Sequence, residues 1–379
     1  MGGLPGSWTW ILGPGYDGGP AFGPGGRGFQ GPHLWGLGRW EEALAASEEA
    51  IRIYRGFGQV LPDAVLSDLA TALTNKSNIL SELGRLTEAL AASEEAVGIY
   101  QRLTETDRTN FLPGLALSLT NQSSRLWELG RPREALEAIE EAGIIYQHLA
   151  EAEPAELSSL GTAMNNQSIY LAALGMREEA LAVIEDAIRI RRDLARLIPD
   201  AYLPDLAMSL NNQANRLMEL VRWEEALAAS EEAVAIRRDL AKDRPEMFLP
   251  GVAGSLNNQS HILRGLGRQE AALTASEEAI RIYRHLIQVL PGAFLPRLAS
   301  GLTSQSIHLA DAGRQEEALA ASEEAVDIYR RLADVLPNAY LRERFTALSN
   351  LADRLSALGR SREANATRRE ATAIWRDYT

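Results

Sequence analysis

Apolar spacing divides most of the chain into helical stretches. In WEEALAASEEAVAIRRDL, residues 223–240, Ala, Leu, Val and Ile recur at three- and four-residue steps, with Glu and Arg between them. That spacing gives a helix one buried stripe and one charged face. The preceding stretch, YLPDLAMSLNNQANRLMEL (202–220), behaves in the same way, so the two predict a helix pair. The pattern is then written again and again. ALAASEEA stands at 43–50, 89–96, 226–233 and 318–325, with ALTASEEA at 272–279. Repetition at this length marks one reused structural unit.

The glycine of the recurring "LG-R" turn serves as a ruler. It falls at Gly38, Gly84, Gly130 and Gly175, then Val221, then Gly267, Gly313 and Gly359, in steps of 46 with a single 45. Four residues before it there is always Leu, from Leu34 to Leu355. Seven before it stand Ser77, Ser123, Ser168, Ala214, Ser260, Ser306 and Ala352. Five and twelve after it every copy has Ala, and fifteen after it Ile, from Ile53 to Ile374. A Gly after the last Leu of a helix suits a left-handed C′ position. The proline of "FLP" or "YLP" is expected in the first turn of the first helix, where a missing N–H costs nothing. Proline again 24 after the ruler, as at Pro199, Pro245 and Pro291, is expected to close the second helix. Each unit therefore predicts helix A and helix B, antiparallel and roughly 17–20 residues long. Small residues at fixed offsets let helix backbones approach, so pairs nest and stack. The fold class is all-α, a solenoid of stacked antiparallel helix pairs.

The small residue, the Leu, the turn Gly and the two Ala stand at the relative spacing of the tetratricopeptide repeat family, which the chain resembles over residues 34–376. The period is 46 rather than the family's usual 34. The large residue expected between the two alanines is Ser47, Ser93, Ile139 or Ile184, and one turn has Val221. In its longer helices and its SLNNQ run the chain is more similar to the repeats of kinesin light chains and to long bacterial arrays. The resemblance implies a right-handed superhelix whose concave surface is lined by helix A. It also implies that the second Asn of an LNN run, here Asn166, Asn212 and Asn258, contacts the backbone of a bound peptide.

Composition changes the picture at the ends and for the partner. Residues 1–32 hold 12 Gly and 5 Pro and are expected to be a disordered tail. Residues 33–379 are expected to form a single solenoid. Its first unit is truncated at HLWGLGRW, about seven full helix pairs follow, and its end, SREANATRREATAIWRDYT, is a polar cap. A misplaced start or a truncated gene would account for the missing first helix. The net charge of −13 argues against nucleic acid or an anionic membrane as partner. No apolar run reaches the roughly 18–20 residues of a membrane span, which points to a soluble, cytoplasmic chain. There is no Cys, and Arg outnumbers Lys heavily, with only Lys76 and Lys242. With abundant Ala, Gly and Pro, that bias fits a high-GC bacterial gene.

Few residues look chemical. His33, His148, His261, His285 and His308 show no ligand spacing and read as exposed. His261 and His308 fall at neighbouring offsets and are not expected to share a site. The paired Glu of helix B, such as Glu48/Glu49 and Glu231/Glu232, recur in nearly every copy, which fits a solvated face better than a singular active site. No nucleophile–base set, metal set or phosphate loop appears, so neither catalysis nor a cofactor is expected. The informative stretch is NNQ. Asn75, Asn121, Asn166, Asn212, Asn258 and Asn350 stand nine before the ruler, and Asn165, Asn211 and Asn257 ten before it. An amide donates and accepts, so a row of them suits the main chain of a peptide whatever its side chains. The same row suits a structural ladder between helices equally well. Flanking residues vary between layers and are the expected seat of specificity: Trp127, Ile169, Asn215, Met218, His261 and Arg264.

The expected function is a protein-interaction scaffold that holds an unidentified peptide or partner helix in the groove lined by helix A. The alternatives are a regulatory module of a larger signalling protein and an array that self-associates end to end.

Overall fold

The computed structural model describes residues 40–57, 63–289, 291–335 and 340–378. The expected tail (1–32) and the truncated first helix before Trp40 lie outside the described residues. Fifteen α-helices, one 3-10 turn (Pro154–Glu156) and no strand occur among the described residues. The helices form two compact units that divide between Tyr202 and Leu203.

In the N-terminal unit, α1 (Trp40–Gly56), α3 (Leu86–Thr106), α5 (Pro132–Ala152) and α7 (Arg177–Leu197) are B helices. The A helices α2 (Asp63–Glu82), α4 (Arg108–Glu128) and α6 (Leu157–Ala173) alternate with them. The C-terminal unit takes up α8 (Pro199–Glu219) from Leu203 onwards. It continues through α9 (Trp223–Asp243), α10 (Pro245–Gly265), α11 (Gln269–Leu286), α12 (Pro291–Asp311), α13 (Gln315–Val335), α14 (Leu341–Ala357) and α15 (Ser361–Tyr378). Consecutive helices pack on each other from α1 to α7 and from α9 to α15, and A helices also touch A helices, as α2 does α4 and α12 does α14. This is a tetratricopeptide-like stack of helix pairs.

The ruler residue ends each A helix. Gly84 has φ +72°, its N–H bonds Ser81 O at 2.8 Å, and Arg85 N–H reaches back to Leu80 O at 2.8 Å. This six-to-one and five-to-two pair of bonds is the Schellman closure. It recurs at Gly130, Gly175, Gly267, Gly313 and Gly359. The constant Leu is the residue whose carbonyl closes the turn, and its side chain is buried in every described copy. Burying one such side chain is worth about 1.5–3 kcal/mol. The Arg after the ruler then clamps the first turn of helix B. Arg85 pairs with Glu88 at 2.7 Å, and Arg222–Glu225, Arg314–Glu317 and Arg360–Glu363 repeat the contact.

The small residues are buried where helices approach most closely. Ala89, Ala135, Ala180, Ala226, Ala272 and Ala318 have essentially no exposed surface, nor do Ser77, Ser123, Ser168, Ser260 and Ser306 opposite them. Ser168 Oγ donates to Ala180 O at 2.7 Å, and Ser306 and Ser322 share a bond of 2.5 Å.

One expectation about the helix ends is corrected. Pro113, Pro204, Pro250 and Pro296 lie inside the A helices rather than in their first turns. The helices begin a turn earlier, with Pro199, Pro245 and Pro291 at their first positions. The internal proline removes one intrahelical bond, and the helix continues upstream of it.

The paired Glu face outwards, and the position of the second Glu, kept as Glu370 after Arg369 in the last layer, does more than meet solvent. Arg55 reaches Glu95 at 2.6 Å, Arg238 Glu278 at 2.6 Å, Arg284 Glu324 at 2.8 Å and Arg330 Glu370 at 2.8 Å. Each pair ties a B helix to the next B helix. Exposed pairs of this kind contribute between nothing and about 1 kcal/mol each.

Candidate functional site

The residues singled out in the sequence stand on the A helices. On α10, Gly254, Asn257, Asn258 and His261 are half-buried and Arg264 is exposed. On α12 the same offsets hold exposed Ser300 and half-buried Thr303, Ile307 and Ala310. The three- and four-residue spacing keeps each set on one helix face.

The Asn residues do not all occupy that surface. Asn121, Asn165 and Asn166 are buried, whereas Asn75, Asn211, Asn212, Asn257, Asn258 and Asn350 are half-buried. Asn258 Nδ2 donates to Asn211 Oδ1 at 3.2 Å, so an amide of the row bridges two A helices at offsets one apart. Ser255 Oγ donates to the same oxygen at 3.1 Å. Other amide atoms are enclosed without a hydrogen-bond partner: Asn166 Oδ1, Asn257 Oδ1 and Asn350 Nδ2. Such groups are costly to leave unmade.

The flanking residues divide likewise. Trp127 is buried and stacks on Tyr170, ring centroids 5.0 Å apart, inside the α4–α6 packing. Burial pushes the Tyr170 phenol up to about 12. Ile169, Asn215 and Met218 are half-buried, and Arg264 is exposed in an ion pair with Asp311 at 2.5 Å.

Two histidines depart from expectation. His148 and His285 are exposed, but His308 is buried and His261 half-buried, and their rings meet edge to face with centroids 5.4 Å apart. His261 Nε2 bonds Ser304 Oγ at 3.0 Å, and His308 Nε2 bonds Ser260 Oγ at 3.0 Å, so α10 and α12 are joined by crossed His–Ser contacts. Adjacent A helices are displaced along their axes, and neighbouring offsets are therefore the ones that meet. Burial, with His261 and Arg264 adding to it, pushes His308 down to about 4. Burial and then Arg264 lower His261. Among the described residues no three His, Asp or Glu side chains converge to hold a metal ion.

Sequence reasoning overlooked the position sixteen after the ruler. It holds Tyr54, Tyr100, Tyr146, Tyr283 and Tyr329, but Arg191 and Arg237 in two successive layers. Three of these side chains lie over a glycine of an adjacent A helix, the following one for Tyr100 and Arg237 and the preceding one for Arg191. A Cβ on Gly114 would strike the Tyr100 ring, one on Gly161 would approach Arg191, and one on Gly251 would approach Arg237. Arg191 is buried and donates to Thr162 Oγ1 at 3.3 Å. Arg237 donates from Nη1 to Gly251 O at 2.9 Å and to Ser255 Oγ. The break in a column of tyrosines was the available signal.

This architecture defines a helical-repeat scaffold, and comparison with known proteins places it further. The tetratricopeptide repeat family model matches residues 69–107, 206–245 and 252–288. A second model, anaphase-promoting complex subunit 5, matches residues 34–58, 149–196 and 297–342. Among solved structures, the apo form of RapI is 15% identical, with 81% of this chain and 97% of that chain covered and a TM-score of 0.58. Aspartyl phosphate phosphatase F from Bacillus subtilis is 14% identical, with coverages of 92% and 85% and a TM-score of 0.57. BtubC (BKLC) from P. vanneervenii is 19% identical, with coverages of 66% and 92% and a TM-score of 0.54. No curated protein matches the sequence. At these identities the likeness is one of fold. Tetratricopeptide repeats are matched at residues 69–107, 206–245 and 252–288, and the layers between them repeat the same helix pair.

Proposed function

We propose that the chain is a protein-interaction scaffold, working in the cytoplasm of a bacterial cell, that holds a peptide or a partner's helix along its A-helix face. The observation that carries this reading is the contrast between constant and varied positions on one face. Half-buried amides recur at Asn75, Asn211, Asn212, Asn257, Asn258 and Asn350, whereas the neighbouring offsets hold Met218 in one layer, His261 and Arg264 in the next and Ile307 and Ala310 in another. A uniform scaffold with varied side chains is what sequence-selective recognition needs. Buried positions on the B helices, by contrast, are nearly identical between layers because stacking fixes them. The net charge of −13 supports a protein partner over nucleic acid or an anionic membrane.

A displayed random-peptide library selected on the immobilised full chain tests this. Met218→Glu and Thr303→Arg, on A helices, should weaken a selected peptide at least about tenfold, equivalent to 1.4 kcal/mol. Ala235→Arg, exposed on helix B, should leave its affinity within about twofold, about 0.4 kcal/mol on the same scale. Circular dichroism checks that all three variants keep their helicity. Loss of binding only in the Ala235→Arg variant would place recognition on the wrong helices for this proposal.

A further inference from the structure

The helix α10 packs on both α9 and α11, and where the three meet there is an open cavity of about 300 Å³. That is the small end of the range for small-molecule sites. Part of its lining is apolar: Leu249 and Val252 of α10 with Ile282 of α11. The rest is chiefly basic: Arg238 and Lys242 of α9 with Arg281 of α11. Val252 is buried, Leu249 and Ile282 are half-buried, and the three cations are exposed, so the apolar side chains form a floor beneath a charged rim.

The cations keep capacity for a ligand. Arg238 holds both oxygens of Glu278, the acid in the lining, through Nη2 alone, so its Nε and Nη1 make no bond among the described residues. Lys242 gives one proton to Asp239 at 2.8 Å and has two more. Arg281 makes no ion pair or hydrogen bond among the described residues. This is a basic rim in a chain of net charge −13. The repeat shows which of these groups stacking requires. The Arg238–Glu278 pair returns one layer on as Arg284–Glu324 and again as Arg330–Glu370. Lys242 and Arg281 do not return: one layer on, their places hold Gln288 and Asp327, and in the next Asp334 and Ala373. Varied residues beside a constant pair are where a site gains selectivity.

We propose that the cavity between α9, α10 and α11 binds a small amphiphilic anion, a carboxylate on a short aliphatic chain. Its head group meets Lys242 and Arg281, and its tail leaves water on Leu249, Val252 and Ile282. This site is separate from the A-helix face and does not depend on the scaffold reading.

Calorimetric titration of the full chain with octanoate, hexanoate, acetate and octylammonium tests it. Octanoate should bind with a Kd of about 0.1–1 mM, the range that ten heavy atoms reach at moderate ligand efficiency. Hexanoate should bind about tenfold more weakly, since each methylene taken from water is worth about fourfold. Octylammonium should bind at least about tenfold more weakly than octanoate, by the loss of the charge match. Lys242→Gln with Arg281→Asp installs the residues found one layer on and should weaken octanoate at least about tenfold, with melting unchanged because both side chains are exposed. Arg102→Gln with Arg133→Asp, exposed on α3 and α5, makes the same change of charge elsewhere and should leave affinity within about twofold. Acetate or octylammonium binding as tightly as octanoate, equal losses in the two double variants, or no binding of octanoate at millimolar concentration each overturn the proposal.

Discussion

Val221 stands where every other described layer has a left-handed glycine, and it adopts φ +61°. A β-branched residue is strained there, at about 1–2 kcal/mol for the left-handed region. Its side chain is 66% exposed, so little packing offsets that strain. Val221→Gly should therefore stabilise the protein, by up to about 1 kcal/mol once the extra freedom of glycine in the unfolded chain is subtracted. A higher urea midpoint would register the gain, and a lower one would show that the valine side chain is needed. His308 offers a second test at this scale. The group ionises near 6.5 when unconstrained but only at about 4 in the fold, held down by burial, His261 and Arg264 against the opposing pull of Asp311. The unfolded chain therefore takes up this proton first as pH falls, and stability declines from about pH 6.5 to about 4. His308→Ile, which installs the residue that Ile79 and Ile262 supply at the same offset, should flatten that decline. Melting curves at pH 7.5, 6 and 4.5 that fall equally in both proteins would remove His308 as its source.

At the scale of the helix, the buried alanines carry the tightest constraint. Ala226 and Ala233 have no exposed surface, so Ala226→Leu or Ala233→Leu should cost about 1–3 kcal/mol by overpacking. Glu231→Ala, on the exposed side of the same helix, should change stability by about 0.5 kcal/mol or less. Equal losses in chemical denaturation would mean that the faces of helix B are misassigned. These faces were legible in the sequence because repetition superimposes several independent copies of one apolar stripe. Turn positions were legible too, since a left-handed C′ residue selects glycine in most layers. The start of helix A was not. A proline in the second turn looks like one in the first, and only the packing of the upstream turn decides between them. The candidate site was legible as a face but not as a set of contacts. Spacing along one helix gives no information about its displacement against the next, so Asn258 meeting Asn211, and His261 meeting His308, could not be read from offsets. Arg237 was hidden for another reason. An arginine on an otherwise charged helix reads as solvated until the glycines opposite it are seen to admit it.

For the molecule as a whole, each of the two units is built from the same layers, and the layers differ mainly on the A helices. The last helix changes the pattern. Asn365, Arg368 and Thr372 are exposed at offsets where earlier layers bury Leu, Ser or Ile and Val. That substitution gives α15 a more solvated outer face than the earlier B helices have, with Trp375 as its exposed aromatic residue. No helix among the described residues is long and apolar enough to cross a membrane. The central claim is that partners are received on the A helices, and photo-crosslinking of a library-selected peptide tests it most directly. A photoreactive amino acid at Met218 or Ile307, on A helices, should capture the peptide, and one at Ala235 or Asp327, exposed on B helices, should not. Capture from the B-helix positions with none from the A-helix positions would contradict the account.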